Sequence, residues 1–562
     1  MTELLLPPGL LLVIGALFMP FGIKVRNLLI FVLPVLCLYF IWSAPADYVV
    51  TLPFLGFELV PIKITTVGQL FATIFSLMAL IGGIFAYKAA STLELSAAFA
   101  YAGSAIGVTL SGDLITLFVF WEIMAIGSTL VIWAARHEGA YRASMRYLMV
   151  HLLGGLLLMI GIAGHVVQTG SISFEPLALD SLAQYLILAG FLVNAGAPPL
   201  SAWIADAYPE ASPSGSVFLS AFTTKTAVFT LLIAFPGTWI LIPIGIYMIF
   251  YGIIYALLEN DMRRILAYSI VNQVGFMITG IGLGTEMALN GAAAHAFVHI
   301  IYKGLLLMSA GAVLYRTGKR SCTDLGGLFQ TMPWTASLGI IGALAISSFP
   351  FTSGFVTKSM IAQTAADQNL IIVWFALAAA SAGVFLHAGI KFPWFVFFQK
   401  DSGMRPAEAP RNMLVAMGVL AALCIGLGVY PEPLYAILPF AVNYEPYTAA
   451  HLVAQFQLLL FAGLAFFVML PMMKRTLTIS LDVDWFYRKL FSVTDRVGYN
   501  LLHSFNRLVT NAIQQSWQGF QSTFQASRLS KYHLASSWPT GSMVMWIGVI
   551  LGGYLLMDIF FK

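Results

Sequence analysis

Three ionisable side chains follow one another at intervals of four residues in the segment His295-Ala-Phe-Val-His299-Ile-Ile-Tyr-Lys303. At 3.6 residues per turn, this spacing places two imidazoles and one ammonium group on one face of a helix, roughly 6 Å apart. The flanking residues are almost entirely apolar. Ionisable groups at membrane depth cost a few kcal/mol each, so they persist where they line a water-filled or protein-lined path. The spacing therefore indicates a path along which protons pass.

Five further ionisable residues interrupt other apolar segments. For any one of them alone, a satisfied core residue or a lysine that snorkels to the interface is the simpler interpretation. As a set they favour proton transfer, because a lysine buried among apolar helices holds its proton weakly and a nearby carboxylate restores its affinity. They are Glu122 in LITLFVFWEIMAIGSTLVIW, Lys225 in SAFTTKTAVFTLLIAF, Lys358 in FPFTSGFVTKSMI, and His387 and Lys391, four residues apart in FLHAGIKFPWF. His151, at the start of another apolar run, belongs to the same set.

The composition is that of a membrane protein with many spans. Of the 562 residues, 59% are hydrophobic and only 9% are charged, and the mean hydropathy is +0.87. Such values are typical of a chain that crosses a bilayer repeatedly. Cys37, Cys322 and Cys424 show no paired spacing, which argues against a disulfide framework, a zinc site or an iron–sulfur site. The sequence thus predicts no metal and no cofactor.

Sixteen apolar runs, each near the roughly 20 residues that a bilayer requires, predict an all-α polytopic fold. Lys and Arg concentrate in alternate loops, and the intervening loops carry mainly acids. This asymmetry places the basic loops in the cytoplasm and both termini on the outer face of the cell inner (plasma) membrane. The runs cover 3–22, 27–44, 65–88, 92–111, 113–134, 145–168, 181–199, 214–235, 238–258, 262–284, 289–315, 333–362, 369–398, 412–430, 449–473 and 540–561.

The segment from Asp484 to Lys531 is amphipathic and too polar to span a bilayer. Its apolar residues recur every three or four positions, and charged and amide side chains occupy the other face. As a continuous helix it would extend about 70 Å at 1.5 Å per residue, long enough to lie along the protein or the membrane interface. The simpler alternative is a membrane-surface anchor that precedes the last span.

Helix-breaking residues interrupt the seventh and the twelfth runs, at Asn194-Ala-Gly-Ala-Pro-Pro199 and at Ser348-Phe-Pro-Phe-Thr-Ser-Gly354. Proline commonly kinks membrane helices, and either interruption alone would be read as a kink. Paired interruptions in two halves of a transporter instead indicate inverted repeats with a site near the midplane. Because Lys225 stands four spans before Lys358, the sequence favours two inverted five-helix repeats that contain broken helices.

Several motifs, in order over residues 95–400, resemble the antiporter-like subunits. These are the large membrane subunits shared by Mrp-type monovalent cation/proton antiporters, where they correspond to the D and A subunits, respiratory NADH:quinone oxidoreductase and membrane-bound hydrogenases. The motifs are WE at 121–122, PPLSAWIADAYPEASPSGSVFLSAFTTKTAVF at 198–229, DMRRILAYSIVNQVGF at 261–276, HAFVHIIYKGLLLMSAGAV at 295–313, DLGGLFQTMP at 324–333 and FPFTSGFVTKSMI at 349–361.

The resemblance assigns roles by position. Glu122 is similar to the family's fifth-helix glutamate and Lys225 to its eighth-helix lysine. His295, His299 and Lys303 resemble the central relay, and Lys358 resembles the lysine of the broken twelfth helix. In the family these groups form a hydrophilic axis along the membrane midplane.

One family residue is missing. The family glutamate pairs with a seventh-helix lysine, whose place here is taken by Asn194, and the histidine usual after Pro-Leu is Ser201. Either Lys225 takes over as the partner of Glu122, or the input half-channel works differently or is impaired. The acidic residue that often follows the twelfth-helix lysine is likewise replaced, by Ser359.

The expected function is proton translocation in a multi-subunit Na⁺ or K⁺/proton antiporter. The alternatives are a proton-pumping subunit of a redox-driven complex of the hydrogenase or NADH:quinone oxidoreductase type and the membrane subunit of an inorganic-carbon uptake system. In each case the partners are other membrane subunits, cations, protons and lipid, and not nucleic acid. The chain is expected to be a secondary transporter subunit rather than an enzyme. The expected organisation is N-terminal transmembrane helices at 1–91, repeats at 92–235 and 236–400, C-terminal core helices at 401–474, a lateral amphipathic helix at 482–532 and an anchor at 540–561.

Overall fold

The computed structural model describes residues 6–45, 47–471, 482–528 and 540–560. These ranges consist of α-helices, short turns and one two-stranded sheet, so the predicted all-α membrane class is confirmed apart from that sheet. The chain divides into two compact units, Met1–Trp485 and Phe486–Lys562. All the predicted relay residues belong to the first unit.

The helices, in chain order, are α1 Pro8–Phe18, α2 Ile23–Ser43, α3 Thr66–Ala86, α4 Thr92–Leu110, α5 Leu114–Trp133, α6 Glu138–Thr169, α7 Leu182–Ala195, α8 Trp203–Ala207, α9 Gly215–Ala221, α10 Thr223–Ala234, α11 Leu241–Leu258, α12 Met262–Leu283, α13 Glu286–Thr317, α14 Pro333–Ile346, α15 Ser353–Asp367, α16 Ile371–Val384, α17 Arg411–Val429, α18 Glu432–Tyr435, α19 Ala449–Val468, α20 Asp484–Arg528 and α21 Thr540–Phe560. Two π-helical segments, Phe385–Lys391 and Trp394–Phe398, follow α16.

Twelve helical segments in the described ranges are long and apolar enough to cross a bilayer. Four shorter apolar helices belong to α1, α7, α14 and α21. Each of the sixteen predicted runs overlaps one of these helices, and the number that actually cross the bilayer stays a prediction. The most buried windows lie in α12, at 100%, and in α13 and α9–α10, at 94%, whereas that of α19 is only 17% buried. The centre of the first unit is therefore built from α9, α10, α12 and α13.

Two parts of the chain have matching elements. Asp113 caps the N-terminus of α5 and Asp261 that of α12. Each of these helices is followed by one of 32 residues, α6 or α13, and then by one of 14 residues, α7 or α14. Asp113 forms an isolated antiparallel bridge with Ser173, and Asp261 forms one with Ser321, 148 residues further along in both cases. This correspondence supports the predicted repeat, whose inverted orientation stays a prediction.

Both predicted helix breaks are present. After α7 the chain turns at Gly196, whose φ of +78° lies in the left-handed region that glycine adopts without strain. Beyond α14, Ser348 and Phe351 have φ values of +56° and +67° before the chain re-enters a helix at Ser353. Each break leaves backbone carbonyls outside a helix, and unwound backbone at membrane depth is tolerated only where protein or a cavity surrounds it.

The Arg263 guanidinium fixes the segment between α8 and α9. It is 2% exposed and donates to the carbonyl oxygens of Pro209, Ala211 and Ser212 at 2.7, 2.7 and 2.8 Å. Because buried carbonyls need donors, one side chain of α12 thereby satisfies a loop that cannot form its own helical hydrogen bonds.

The sequence interpretation missed a β-hairpin between α2 and α3. Strand β1, Val49–Phe54, pairs antiparallel with β2, Phe57–Lys63. The turn residues Leu55 and Gly56 both have positive φ, as tight two-residue hairpin turns require. Val60 joins the hairpin to the start of α5, since its N–H donates to Asp113 Oδ2 at 2.7 Å.

The second unit contains most of α20 and all of α21. α20 is one helix of 45 residues, which corresponds to about 68 Å, and it confirms the predicted amphipathic helix as far as Arg528. Residues 529–532 of the predicted lateral segment and residue 561 of the predicted anchor lie outside the described residues. The final anchor is otherwise matched by α21.

Candidate functional site

The centre of the site is the buried face of α13 that carries His295, His299 and Lys303. All three side chains are 0% exposed. The two imidazole ring centroids are 6.1 Å apart, as the spacing of four residues predicts. Neither His299 nitrogen has a hydrogen-bond partner among the described residues, and nor does Lys303 Nζ. Since buried polar groups in proteins are nearly always hydrogen-bonded to protein or to ordered water, these atoms predict that this stretch is hydrated.

His295 connects the row to α12 and α15. Its Nδ1 is 3.0 Å from Thr357 Oγ1, and its Nε2 is 3.2 Å from both Gln273 Oε1 and the Tyr302 hydroxyl. Tyr302 also donates to Gln273 Oε1 at 3.1 Å. Thr357 immediately precedes Lys358, so these contacts bring His295 to within one residue of the next predicted relay group along α15.

Lys358 lies where α14 stops and α15 begins. Its Nζ donates to the Ile346 carbonyl at 2.6 Å and stands 5.1 Å from the centre of the Phe276 ring. The freed carbonyl of the broken helix thus holds the ammonium group. A cavity of about 430 Å³ begins at Lys358 and continues past Ser359, Gln363, Gln455 and His451.

Lys225 lies on α10, directly after the kink that separates α9 from α10. Its Nζ donates to the Ser220 carbonyl at 2.8 Å and to Thr224 Oγ1 at 3.0 Å, and the residue is 0% exposed. It lies within electrostatic range of His299 and Lys303, as does Lys358. The two lysines therefore flank the central row on α10 and α15.

In the part of the chain that the structure describes, Lys225 is not the direct partner of Glu122, which was one of the two alternatives for the missing lysine. Among the described residues Glu122 forms no ion pair, and its Oε1 is buried against Gly155 of α6 without a hydrogen-bond partner. The physical reason is the α9–α10 kink, because the carbonyl of Ser220 that it frees holds the Lys225 ammonium group instead.

Asn194, the last but one residue of α7, contacts a histidine. Its Oδ1 is 2.8 Å from His151 Nδ1 on α6. The amide therefore stays neutral and hydrogen-bonded at the place where the family resemblance leads one to expect a cation.

His387 and Lys391 lie on the π-helical segment after α16 and face backbone carbonyls. His387 Nδ1 is 2.8 Å from the Gly383 carbonyl. Lys391 Nζ donates to the carbonyls of Ala256, Leu257 and Glu259 at 3.2, 2.6 and 2.6 Å. Lys391 thus caps the C-terminus of α11, a favourable place for a cation. The geometry gives Lys391 a structural task in addition to any role in proton transfer.

The sequence interpretation overlooked the neutral hydrogen-bonding residues around the charged ones. Beside His295 these are Gln273, Tyr302 and Thr357. Beside Lys225 a hydroxyl cluster consists of Tyr101, Ser128, Tyr147 and Thr223. The only available signal was a polar residue within an apolar run, which is too common in membrane helices to single these residues out.

The arrangement suits proton transfer between nitrogen bases better than cation binding. In the described part of the chain, no group of three or more His, Cys, Asp or Glu side chains is placed to hold a metal ion. The buried acids Asp206 and Asp261 are paired with arginines near helix ends. The bases at the centre form a row that bridges the two halves of the molecule.

Comparison with known proteins agrees with this geometry. Residues 111–384 match the family described as NADH:quinone oxidoreductase/Mrp antiporter, TM. The D subunit of the Na(+)/H(+) antiporter of Alkalihalophilus pseudofirmus is 30% identical over 406 residues, which cover 67% of this chain and 82% of that protein. Hydrogenase-4 component B of Escherichia coli is 28% identical over 348 residues, 55% of this chain and 52% of that protein.

Two solved structures share the fold. A chain of the Mrp complex from Dietzia sp. has a TM-score of 0.66 at 20% identity and covers 82% of this chain and 95% of its own. A chain of the membrane-bound sulfane sulfur reductase, an archaeal respiratory membrane complex, has a TM-score of 0.71 at 24% identity and covers 98% and 100%. The chain belongs to the NADH:quinone oxidoreductase/Mrp antiporter family of membrane proteins.

Proposed function

We propose that this chain is the proton-translocating subunit of a multi-subunit monovalent cation/proton antiporter that exchanges protons for Na⁺ or K⁺. The observation that carries the proposal is the set of buried bases Lys225, His295, His299, Lys303 and Lys358, in which both flanking lysines lie within electrostatic range of the α13 row. Such groups are expensive inside a membrane protein and persist where they serve an ion path. The relatives that act as Na(+)/H(+) antiporter subunits support the choice of cation/proton exchange.

Proton transfer follows the row from the first repeat to the second. Protonation of Glu122 removes a negative charge, and Lys225 then releases its proton toward His299. The proton passes to His295, 6.1 Å away between ring centroids, and through Thr357 to Lys358. Lys303 lies within electrostatic range of both lysines, so a positive charge on any of the three disfavours the charge on the others. Between two charges as far apart as the His295 and His299 rings, 6.1 Å, such coupling is on the order of 3 kcal/mol at an effective dielectric near 20.

The cation is handled elsewhere in the complex. Carboxylates and carbonyls suit Na⁺, yet Glu122 is the only acid away from the ends of the predicted spans. We place the cation path at an interface with another subunit. In the same proposal, the chain lies in the cell inner membrane with both termini on the outer face, α20 lies laterally, and the two repeats occupy residues 92–235 and 236–400.

The test measures cation-dependent proton flux in inside-out membrane vesicles that contain the assembled complex. Lys225→Met and Lys303→Met are expected to reduce the initial rate at least tenfold, because each removes a titrating group from the row. Lys319→Met is the matched control, since Lys319 is exposed in a loop. Undiminished flux in the two test variants at normal protein levels would refute the proposal.

The alternative is a proton-pumping subunit of a redox-driven complex. The observation that favours it is the sulfane sulfur reductase chain, which matches over its whole length. Purification of the complex separates the two functions: partner chains that carry redox centres would favour pumping, and small membrane subunits without them would favour exchange.

A further inference from the structure

His151 is a buried histidine for which the relay as proposed has no use. It is 1% exposed in the middle of α6. The rings of Tyr147 and Trp203 pack edge-on against it, with centroids 4.0 and 4.6 Å away. Its Nδ1 faces Asn194 Oδ1 at 2.8 Å, and its Nε2 is buried without a hydrogen-bond partner among the described residues. Since an amide oxygen only accepts, Nδ1 carries the proton and the lone pair of Nε2 is available.

Glu122 reaches the same face of α6 one turn further along. Its buried Oε1 packs so closely on Gly155 that a methyl group at this position would overlap it. Residues four apart on a helix are neighbours, with Cβ positions about 5–6 Å apart. A carboxyl oxygen and an imidazole nitrogen, both buried and both without a partner in the described structure, therefore lie within about one helical turn of each other.

The internal repeat gives an independent reason to assign His151 a role. The 148-residue interval that relates the bridge Asp113–Ser173 to Asp261–Ser321 also relates His151 to His299. Both histidines occupy the same place in a 32-residue helix that begins at a glutamate and ends at a threonine. The two halves thus present equivalent buried imidazoles to the interior.

Hydroxyl groups extend from the turn of α6 before His151 to the residue next to Lys225, without a direct hydrogen bond from His151. Tyr147 lies one turn before His151 on α6, and its hydroxyl is 3.0 Å from Ser128 Oγ and 3.2 Å from Thr223 Oγ1. Thr223 is followed by Thr224, whose hydroxyl accepts from Lys225 Nζ at 3.0 Å. One face of α6 therefore connects Glu122 with the lysine that it does not contact.

We propose that His151 is the proton acceptor for Glu122, held in position by Asn194, and that it links Glu122 to Lys225 along α6. The proposal rests on the proposed proton-transfer function and deepens it. The O–H bond of protonated Glu122 breaks and an N–H bond forms at His151 Nε2, which leaves a carboxylate beside an imidazolium. His151 then releases that same Nε2 proton toward the hydroxyl cluster, and Nδ1 keeps its own proton for Asn194.

The test uses the full complex in inside-out vesicles and measures cation-dependent proton flux as a function of pH. His151→Gln keeps a polar side chain of similar size but cannot carry a proton, so the flux is expected to fall at least tenfold. His165→Gln is the matched control. His165 is another buried histidine of α6 that contacts an amide, Gln184 Nε2 at 3.1 Å. Its flux is expected to stay within twofold of the parent chain.

Asn194→Asp provides a readout that a purely structural role would not change. A carboxylate 2.8 Å from Nδ1 would favour the imidazolium, so the acidic limb of the flux profile is expected to move to higher pH by at least about one unit. Other titratable groups on the elements packed around His151 are Glu122 on α5, Tyr185 on α7, Asp206 on α8, Tyr208 after it, and on α6 itself Glu138, Tyr141, Arg142, Arg146, Tyr147 and His165. Arg146 and Asp206 already form an ion pair.

Unchanged flux in His151→Gln, or an unshifted profile in Asn194→Asp, would overturn the proposal. If His151→Gln does not assemble, the Asn194→Asp profile decides alone. Lys303→Met in the same vesicles separates this inference from the function beneath it. Loss of flux in Lys303→Met without loss in His151→Gln overturns the role of His151 only, and no loss in either variant overturns the proton-transfer function as well.

Discussion

The histidine pair of α13 is expected to carry one proton at a time. Two positive charges at the centroid separation of 6.1 Å repel each other by about 2.7 kcal/mol at an effective dielectric near 20. This energy corresponds to roughly a hundredfold preference for the singly protonated pair. His295 and His299 should therefore act as one station in the relay and not as two parallel ones.

Substitution of the pair tests this reasoning. His295→Ala and His299→Ala should each reduce cation-dependent proton flux in inside-out vesicles at least tenfold. The double variant should be no slower than the slower single variant, because residues that act as a unit give strongly non-additive effects. His503→Ala, at an exposed histidine of α20, is the control for the loss of an imidazole as such.

An additive outcome would refute the series arrangement. If the double variant is slower by the product of the two single effects, each histidine contributes independently and the two do not act as one station. Unchanged flux in either single variant would exclude that histidine from the path. Protein levels and the thermal transition of each complex must match those of the parent chain for either conclusion.

Three further predictions concern stability. Arg263→Ala leaves the Ala211 and Ser212 carbonyls without their side-chain donor, at roughly 1–3 kcal/mol each, and leaves the Pro209 carbonyl with Arg320 alone, so the thermal transition of the purified complex should fall well below that of Arg263→Lys. Lys391→Met removes three hydrogen bonds at the end of α11. The thermal transition of the complex should fall, while the proton flux per assembled complex is retained. Lost proton flux with an unchanged thermal transition would instead place Lys391 in the relay. Two hydrogen bonds from Arg405 hold the pKa of the exposed Asp401 carboxyl below its ordinary value. The pair therefore stabilises the loop fully at pH values above the ordinary aspartate pKa near 4. This stabilisation is lost as the pH falls through the lower pKa of the folded state. Asp401→Asn should therefore increase hydrogen exchange in this loop at neutral pH and have little effect in strong acid.

The elements of this fold could be predicted from sequence because each depends on a local pattern. Apolar runs of bilayer length, prolines within two of them and a period near 3.6 in the amphipathic segment are all readable from neighbouring residues. The hairpin was missed because its strands are short and apolar and lie between spans, where Leu55-Gly56 is its only turn signal. The spacing of His295 and His299 likewise fixed their separation, since a helix imposes it.

The pairing of the charged groups could not be predicted, because it depends on contacts between distant segments. Whether Lys225 reaches Glu122 is decided by a kink that frees the Ser220 carbonyl. That Asn194 faces His151 follows from the packing of α7 on α6, where Gly154 allows a close approach. A family sequence pattern shows which residue is replaced, but it does not predict which contacts the replacing residue makes.

Buried charged groups with and without hydrogen-bond partners lie in different parts of the molecule, and this distribution indicates which groups transfer protons. Near the helix ends, charged groups have several partners: Arg146 forms a bidentate pair with Asp206 at 2.7 and 2.8 Å, and both terminal nitrogens of Arg263 donate to carbonyls. In the middle of α13, His299 and Lys303 are equally buried yet have no partner among the described residues. Since an unpaired buried polar group costs about 1–3 kcal/mol and a charged one more, stability alone would favour apolar residues there. We infer that His299 and Lys303 are retained for proton transfer, because a group already locked in an ion pair cannot readily pass a proton on.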